Sequence, residues 1–122
     1  MSLTSTPFAG PFTTQLIRET NANAVADTNV RGGGTTVYMV RVDNSANPSL
    51  PVYLHLYNSA APVVGTTPPD MTLLFAGGEA SDTLWITGKV FATALSFCCT
   101  TAGGLGGTAS PTNPVITSIA CS

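Results

Sequence analysis

Charge is the scarcest feature of this sequence. Of its 122 residues only 8% are charged, against about 25% in a typical soluble domain. Ordinary disorder is excluded too, because disordered chains combine high net charge with few apolar residues, and 43% of this chain is hydrophobic. The basic residues Arg18, Arg31, Arg41 and Lys89 are scattered, and the formal net charge is -2. Phosphate binding rests on clustered Lys and Arg, so no nucleic-acid partner is expected. Long apolar runs are missing as well. A membrane helix needs about 18 to 20 apolar residues, and the best window, Leu84 to Cys99, is broken by Gly88 and Lys89. No membrane partner is expected. The first charged residue is Arg18, so no basic segment precedes an apolar one and no signal peptide is expected. The three cysteines are an odd number and two are adjacent, which is not a secreted disulfide framework. Synthesis in a reducing cytoplasm is the expectation.

What is present is a rhythm of short β-rich segments between turn signals. The length suits one domain able to bury a core. "RGGGTT" precedes "VYMVRV", and "DNSANPSLP" separates it from "VYLHLY". "NSAAPVVGTTPPD" leads to "MTLLF", and "AGGEAS" precedes "DTLWIT". "GK" then precedes "VFATALSFCCTT", and "AGGLGGTASPTNP" leads to "VITSIAC". Strands spaced in this way predict an all-β antiparallel sandwich or barrel. Proline and glycine interrupt every longer candidate helix.

Alternation is cleanest in Val52 to Tyr57, with Val52, Leu54 and Leu56 on a core face and Tyr53, His55 and Tyr57 on the other. In Thr83 to Thr87 the lone Trp85 opposes Leu84 and Ile86. In Ala92 to Thr101 the bulky Leu95, Phe97 and Cys99 oppose the small Ala94, Ser96 and Cys98, a face suited to close approach of a second layer. Residues 1–34 show little periodicity and read as an arm with one strand at most, ahead of a sandwich over 35–122. Exposed on such an arm, Phe8, Phe12, Leu16 and Ile17 would need something to bind.

The chemical readings are weak. "GLGGTA" at Gly104 to Ala109 has the spacing of a dinucleotide loop, but Pro111 and Pro114 forbid the helix that must follow, and no acidic residue follows Asp82. Adjacent Cys98 and Cys99 on a strand point to opposite faces, so a zinc site with Cys121 and His55 lacks the needed spacing. Cys99 reads as a core residue, and a bond from Cys121 to Cys98 or Cys99 stays open. A cysteine nucleophile would have only His55 as its base. Asp70, Glu79 and Asp82 read as solvated loop carboxylates. No catalytic residue, cofactor or metal is expected.

Four stretches carry a family resemblance: "VYMVRVDNSANP", "VYLHLYN", "VGTTPPDMTLLFAGG" and "GKVFATALSFCCTTAGG". Together, over residues 35 to 101, they resemble a family of small β-sandwich structural proteins of tailed bacteriophages, several of which look like head decoration (cement) proteins. Ala94 stands where such sequences often carry Gly, and His55 where Lys is common. The resemblance implies a jelly-roll-like sandwich, a homotrimer, seated on the capsid surface of a virion and locking copies of the major capsid protein together. Its contacts would come from Phe8, Phe12, Leu16, Ile17, Tyr53, Tyr57 and Trp85, and removing residues 1–17 would abolish particle binding while leaving the sandwich folded. Similar modules occur in neck and tail-fibre components. The alternative is therefore a receptor- or carbohydrate-binding module with Tyr53, Tyr57 and Trp85 as stacking platforms.

Overall fold

The computed structural model describes residues 2–7 and 15–122, with Pro7 and Ile86 described by their backbone alone. Eight strands are formed among them: β1 (Leu3–Pro7), β2 (Gln15–Ala22), β3 (Thr35–Asp43), β4 (Val52–Asn58), β5 (Met71–Phe75), β6 (Ala80–Phe91), β7 (Leu95–Thr100) and β8 (Val115–Cys121). They make a five-stranded sheet in the order β1-β2-β8-β3-β6 and a three-stranded sheet in the order β5-β4-β7. All pairings are antiparallel. The described residues include no helix.

The two sheets close over one apolar layer. Ile17, Val37, Val40, Val42, Val115 and Ile119 come from the larger sheet and Val52, Leu54, Leu56, Leu95, Phe97 and Cys99 from the smaller, and all are fully buried in a single cluster. The aliphatic face of β4 and the Leu95/Phe97/Cys99 face of β7 thus meet the core as their alternation requires. This is a β-sandwich.

A bulge makes the centre of the larger sheet work. Between Val37 and Met39 the β8 partner moves by one residue only, from Cys121 to Ala120, so Tyr38 is the extra residue. Period-two alternation would send Val37 and Val40 to opposite faces; the inserted residue shifts the parity, and Val37, Val40 and Val42 all face inward. On the other flank the same step moves from Lys89 to Leu84 along β6. Gly88 lies in this irregular stretch with φ of 82°. A Cβ there would collide with Thr36 and come within 2.9 Å of Tyr38 Cε1, so glycine is required by both backbone and space.

Three expectations change. The sandwich does not begin at residue 35: β2 is paired on both sides, to β1 and to β8, and Ile17 is fully buried. The run "VFATALSFCCTT" is not one strand. Val90 and Phe91 end β6 in the larger sheet, the chain bends at Ala92–Ala94, and β7 starts in the smaller sheet. Trp85 packs against the core while Leu84 is 71% exposed, because the β6 irregularity resets which side faces inward.

The segment from Asn23 to Val30 runs along the outer edge of β7. Asp27 N donates to Phe97 O (2.9 Å), Phe97 N to Asp27 O (3.0 Å), Val30 N to Leu95 O (2.9 Å) and Cys99 N to Asn23 O (2.8 Å). Together they give β7 an irregular second neighbour.

Deleting residues 1–17 removes β1 and the first third of β2, including a wholly buried isoleucine. The expected outcome is loss of a cooperative thermal transition by circular dichroism, since Ile-to-Ala truncation alone costs about 2–5 kcal/mol. A truncated protein that melts like the full chain would place β2 outside the fold.

Candidate functional site

The outer face of the three-stranded sheet gathers most of the chain's chemistry-bearing side chains. Cross-strand pairing sets Tyr53 beside Thr100, His55 beside Cys98 and Tyr57 beside Ser96, with Thr72 flanking His55 from β5. Loops cover this face, so His55 and Tyr57 are both only 2% exposed. The glycine-rich loop between β7 and β8 lies on the Tyr53 ring, and a Cβ on Gly103 would fall 2.7 Å from Tyr53 Cε2. Close backbone approach, not phosphate cradling, explains that glycine.

Both ring nitrogens of His55 are occupied. Nδ1 meets Thr72 Oγ1 at 2.9 Å and Nε2 meets Thr100 Oγ1 at 2.8 Å. The Thr100 hydroxyl donates to Ala102 O at 2.7 Å, so it accepts from Nε2–H, which leaves Nδ1 to accept from Thr72. Burial holds the imidazole below its ordinary pKa of 6.5, opposed by the Ala102 carbonyl. The unfolded chain therefore takes up this proton first, and the stability that neutral His55 confers is lost as pH falls below 6.5.

Cys98 lies opposite this histidine without being activated by it. Tyr57 Oη meets Cys98 Sγ at 3.6 Å. Burial pushes the Cys98 thiol up, as does the nearby Asp27 carboxyl. Burial takes Cys99 up to about 12 and raises Cys121 as well. All three are buried and none forms a disulfide; Cys121 belongs to the larger sheet and Cys98 and Cys99 to the smaller. No group of three or more His, Cys, Asp and Glu residues able to hold a metal occurs among the described residues.

The expected contact residues do not form one surface. Phe8 and Phe12 lie outside the described residues. Ile17 and Tyr57 are interior and offer no surface to a partner, the first because β2 belongs to the sandwich, the second because loops close over β4. Leu16 is half-buried on the outer face of the larger sheet, in register with Thr6 and Ala120. Ala120 is opposite Met39, which is opposite Leu84, so an apolar row crosses that face. Tyr53 is half-buried on the smaller sheet and Trp85 on the larger. The larger exposed apolar side chains include Leu84 at 71%, Val90 at 62% and Leu74 at 62%. They sit on β6 and β5, each of which pairs on one side only. The carboxylates Asp70 and Asp82 have separate partners: Asp70 Oδ2 accepts from Asn58 N at 2.6 Å, and Asp82 pairs with Arg41 at 3.1 Å on the surface.

Two polar groupings escaped the sequence reading. The first is an asparagine cluster at one end of the sandwich. Asn44, fully buried, donates from Nδ2 to Leu50 O (2.9 Å) and Ala76 O (3.1 Å). Its Oδ1 accepts from Asn47 Nδ2 at 3.0 Å, and Asn47 Oδ1 accepts from Asn113 N at 2.9 Å. "DNSANP" signalled a turn, and nothing in its spacing announced a contact with Asn113. The second is a buried acidic pair, Glu19 at 0% and Asp27 at 5% exposure, on two segments that sequence distance alone did not connect.

No family model matches this chain, and no curated protein and no solved structure matches it either.

At pH 8 the folded protein is expected to react negligibly with an aromatic disulfide reagent over minutes, and to release three thiol equivalents once denatured. Rapid reaction of one thiol in the native state would contradict the burial described. Asn44→Ala should lower the unfolding free energy by about 2–3 kcal/mol in urea titration, since it removes three side-chain hydrogen bonds made by a fully buried residue. An unchanged midpoint would show the cluster to be dispensable.

Proposed function

We propose that this protein is a virion structural component that sits on the capsid surface and cements copies of the major capsid protein. The resemblance over residues 35 to 101 supplies the class, and three features of the molecule support it. The first is connectivity. The order β2-β8-β3-β6 faces an order of the Asn23–Val30 segment, β7, β4 and β5, which we read as a jelly roll with its second segment reduced to a bridge and with β1 added at the edge. The second is the scarcity of ionic groups. A surface with so few charges is a poor design for a solitary monomer.

The third feature carries the proposal: among the described residues β5 and β6 are each paired on one side only, and they bear exposed Leu74, Leu84 and Val90. Isolated soluble sandwiches blunt such edges with charge, proline or a covering loop. Here the nearby charges are Asp70 and Glu79 beside the two strands, Lys89, and the Arg41–Asp82 pair, and β5 itself carries none. An edge left apolar suits a protein that covers it on assembly. Cementing would then act by burying this edge at shell-subunit junctions, with a symmetric homotrimer multiplying weak individual contacts.

The receptor- or carbohydrate-binding reading asks for an aromatic platform. Tyr57 is interior, and Tyr53 and Trp85 stand on different sheets, so that reading finds less support.

Sedimentation of the purified protein with particles lacking it tests the proposal. Saturable binding is expected, with Leu84→Glu lowering occupancy at least tenfold while its melting temperature stays within a few degrees of the parent. Equal occupancy by Leu84→Glu would discard the edge, and absence of binding to shells, or location on a fibre by cryo-electron microscopy, would discard the cement role. Light scattering should return a trimer mass.

A further inference from the structure

Glu19 and Asp27 are brought together from opposite layers. Glu19 lies on β2 with its side chain on the core side, in register with the buried Thr117 of β8. Its Oε1 accepts from Ser2 N at 2.6 Å and Asn21 N at 2.9 Å. Its Oε2 is fully buried and receives no hydrogen bond from a fixed donor. The Asp27 carboxyl, itself nearly inaccessible, lies close enough to interact with the Glu19 carboxyl. Two carboxylates are acceptors only, so this contact is a bond when one proton lies between them and a repulsion when none does.

Asp27 stands in the middle of the Asn23–Val30 segment, the sole cover of the β7 edge among the described residues. That segment is lightly held. Besides its four backbone bonds to β7 it has Ala24 N to Ser110 Oγ (3.1 Å) and Asn29 N to Ser96 Oγ (2.9 Å), and Val25 is 63% exposed. Val30 packs one end of the segment against the core, and the Glu19 contact ties its middle to the five-stranded sheet.

We propose that Glu19 and Asp27 form a proton-dependent latch that holds the Asn23–Val30 segment closed over the edge of β7 and between the two sheets. Losing the shared proton leaves two buried anions in contact and loosens the segment, baring the backbone of Leu95, Phe97 and Cys99. Burial first, and then the charge and hydrogen bond of Glu19, take the Asp27 carboxyl up to about 7. The groups facing it are Glu19 from β2 and Cys98 from β7, the latter kept protonated by its own burial.

The sign follows from linkage. The closed segment keeps a proton that the open one, with an ordinary carboxyl near 3.8, releases. Opening is therefore favoured as pH rises from about 4 to about 7, by up to ~tenfold per pH unit, and levels off above.

Amide hydrogen exchange of the full chain between pH 4.5 and 8.5, corrected for intrinsic rates, tests this. Protection at Asp27, Phe97 and Cys99, referenced to amides of β3 and β8, is expected to fall roughly tenfold per pH unit up to about pH 7 and then flatten. Asp27→Asn keeps a donor for Glu19 Oε2 at every pH, so its protection should be flat. A flat wild-type profile, or a slope retained in Asp27→Asn, overturns the latch. Should that variant fail to fold, carboxyl carbon-13 titration of the wild type decides: a midpoint near 7 for Asp27 upholds it, and one near 4 overturns it.

Discussion

Each crossing between the two sheets leaves loop backbone without a ladder partner, and satisfying those groups with uncharged side chains is the constraint on which this fold depends. Four of the links between consecutive strands change sheets: β3 to β4, β5 to β6, β6 to β7 and β7 to β8. Asn44, Asn47 and Asn113 tie three of them together at one end. At the other end Asn58 Oδ1 accepts from Thr93 N at 2.8 Å, in the β6–β7 link. A carboxamide offers both donors and an acceptor without a charge to desolvate, so it can be buried where an ion would need a partner. A chain with so few ions thus holds its crossings by amides, and the two aliphatic faces are kept in register between two polar ends.

The same economy governs the outer face of the smaller sheet. Thr72, His55, Thr100 and Ala102 form a chain of three hydrogen bonds, and Tyr57 is matched to Cys98. These are chemistry-bearing residue types, yet each potential is spent on a neighbour. The histidine is neutral with both nitrogens occupied, and the thiols are raised by burial. Proximity of a cysteine and a histidine is not activation; a nucleophile needs a base aimed at it.

How much of this could be read from the chain depends on whether alternation survived. In β4 it did, and Val52, Leu54 and Leu56 could be assigned to the core directly. In β7 the opposite facing of Cys98 and Cys99 followed from strand geometry alone. In β2 an acidic residue occupies a core position, so Ile17 reads as an exposed residue of an irregular arm when Ile17 and Glu19 are successive inward residues. In β3 the bulge at Tyr38 breaks parity and hides that three valines share a face. Along 90–101 the apolar run was continuous through a change of sheet, because alanines at Ala92 and Ala94 give no turn signal. The Glu19–Asp27 pair and the asparagine cluster were illegible for a common reason. Both are contacts between distant segments, set by how the sheets stack rather than by local spacing.

Charge scarcity also reaches further than composition states. The six acidic residues are Glu19, Asp27, Asp43, Asp70, Glu79 and Asp82. Two are interior, one of them holding its proton up to about pH 7. Asp43 accepts from Ser45 N at 3.0 Å and Asp70 from Asn58 N, each closing a local turn, and Asp82 is neutralised by Arg41. What remains on the surface is closer to neutral than the formal -2, so electrostatic repulsion between copies, or between this protein and a neighbour, is small. Where repulsion is weak and edges are apolar, contact is limited by shape. On the proposed reading, the selectivity of assembly comes from fit along β5 and β6 rather than from charge steering.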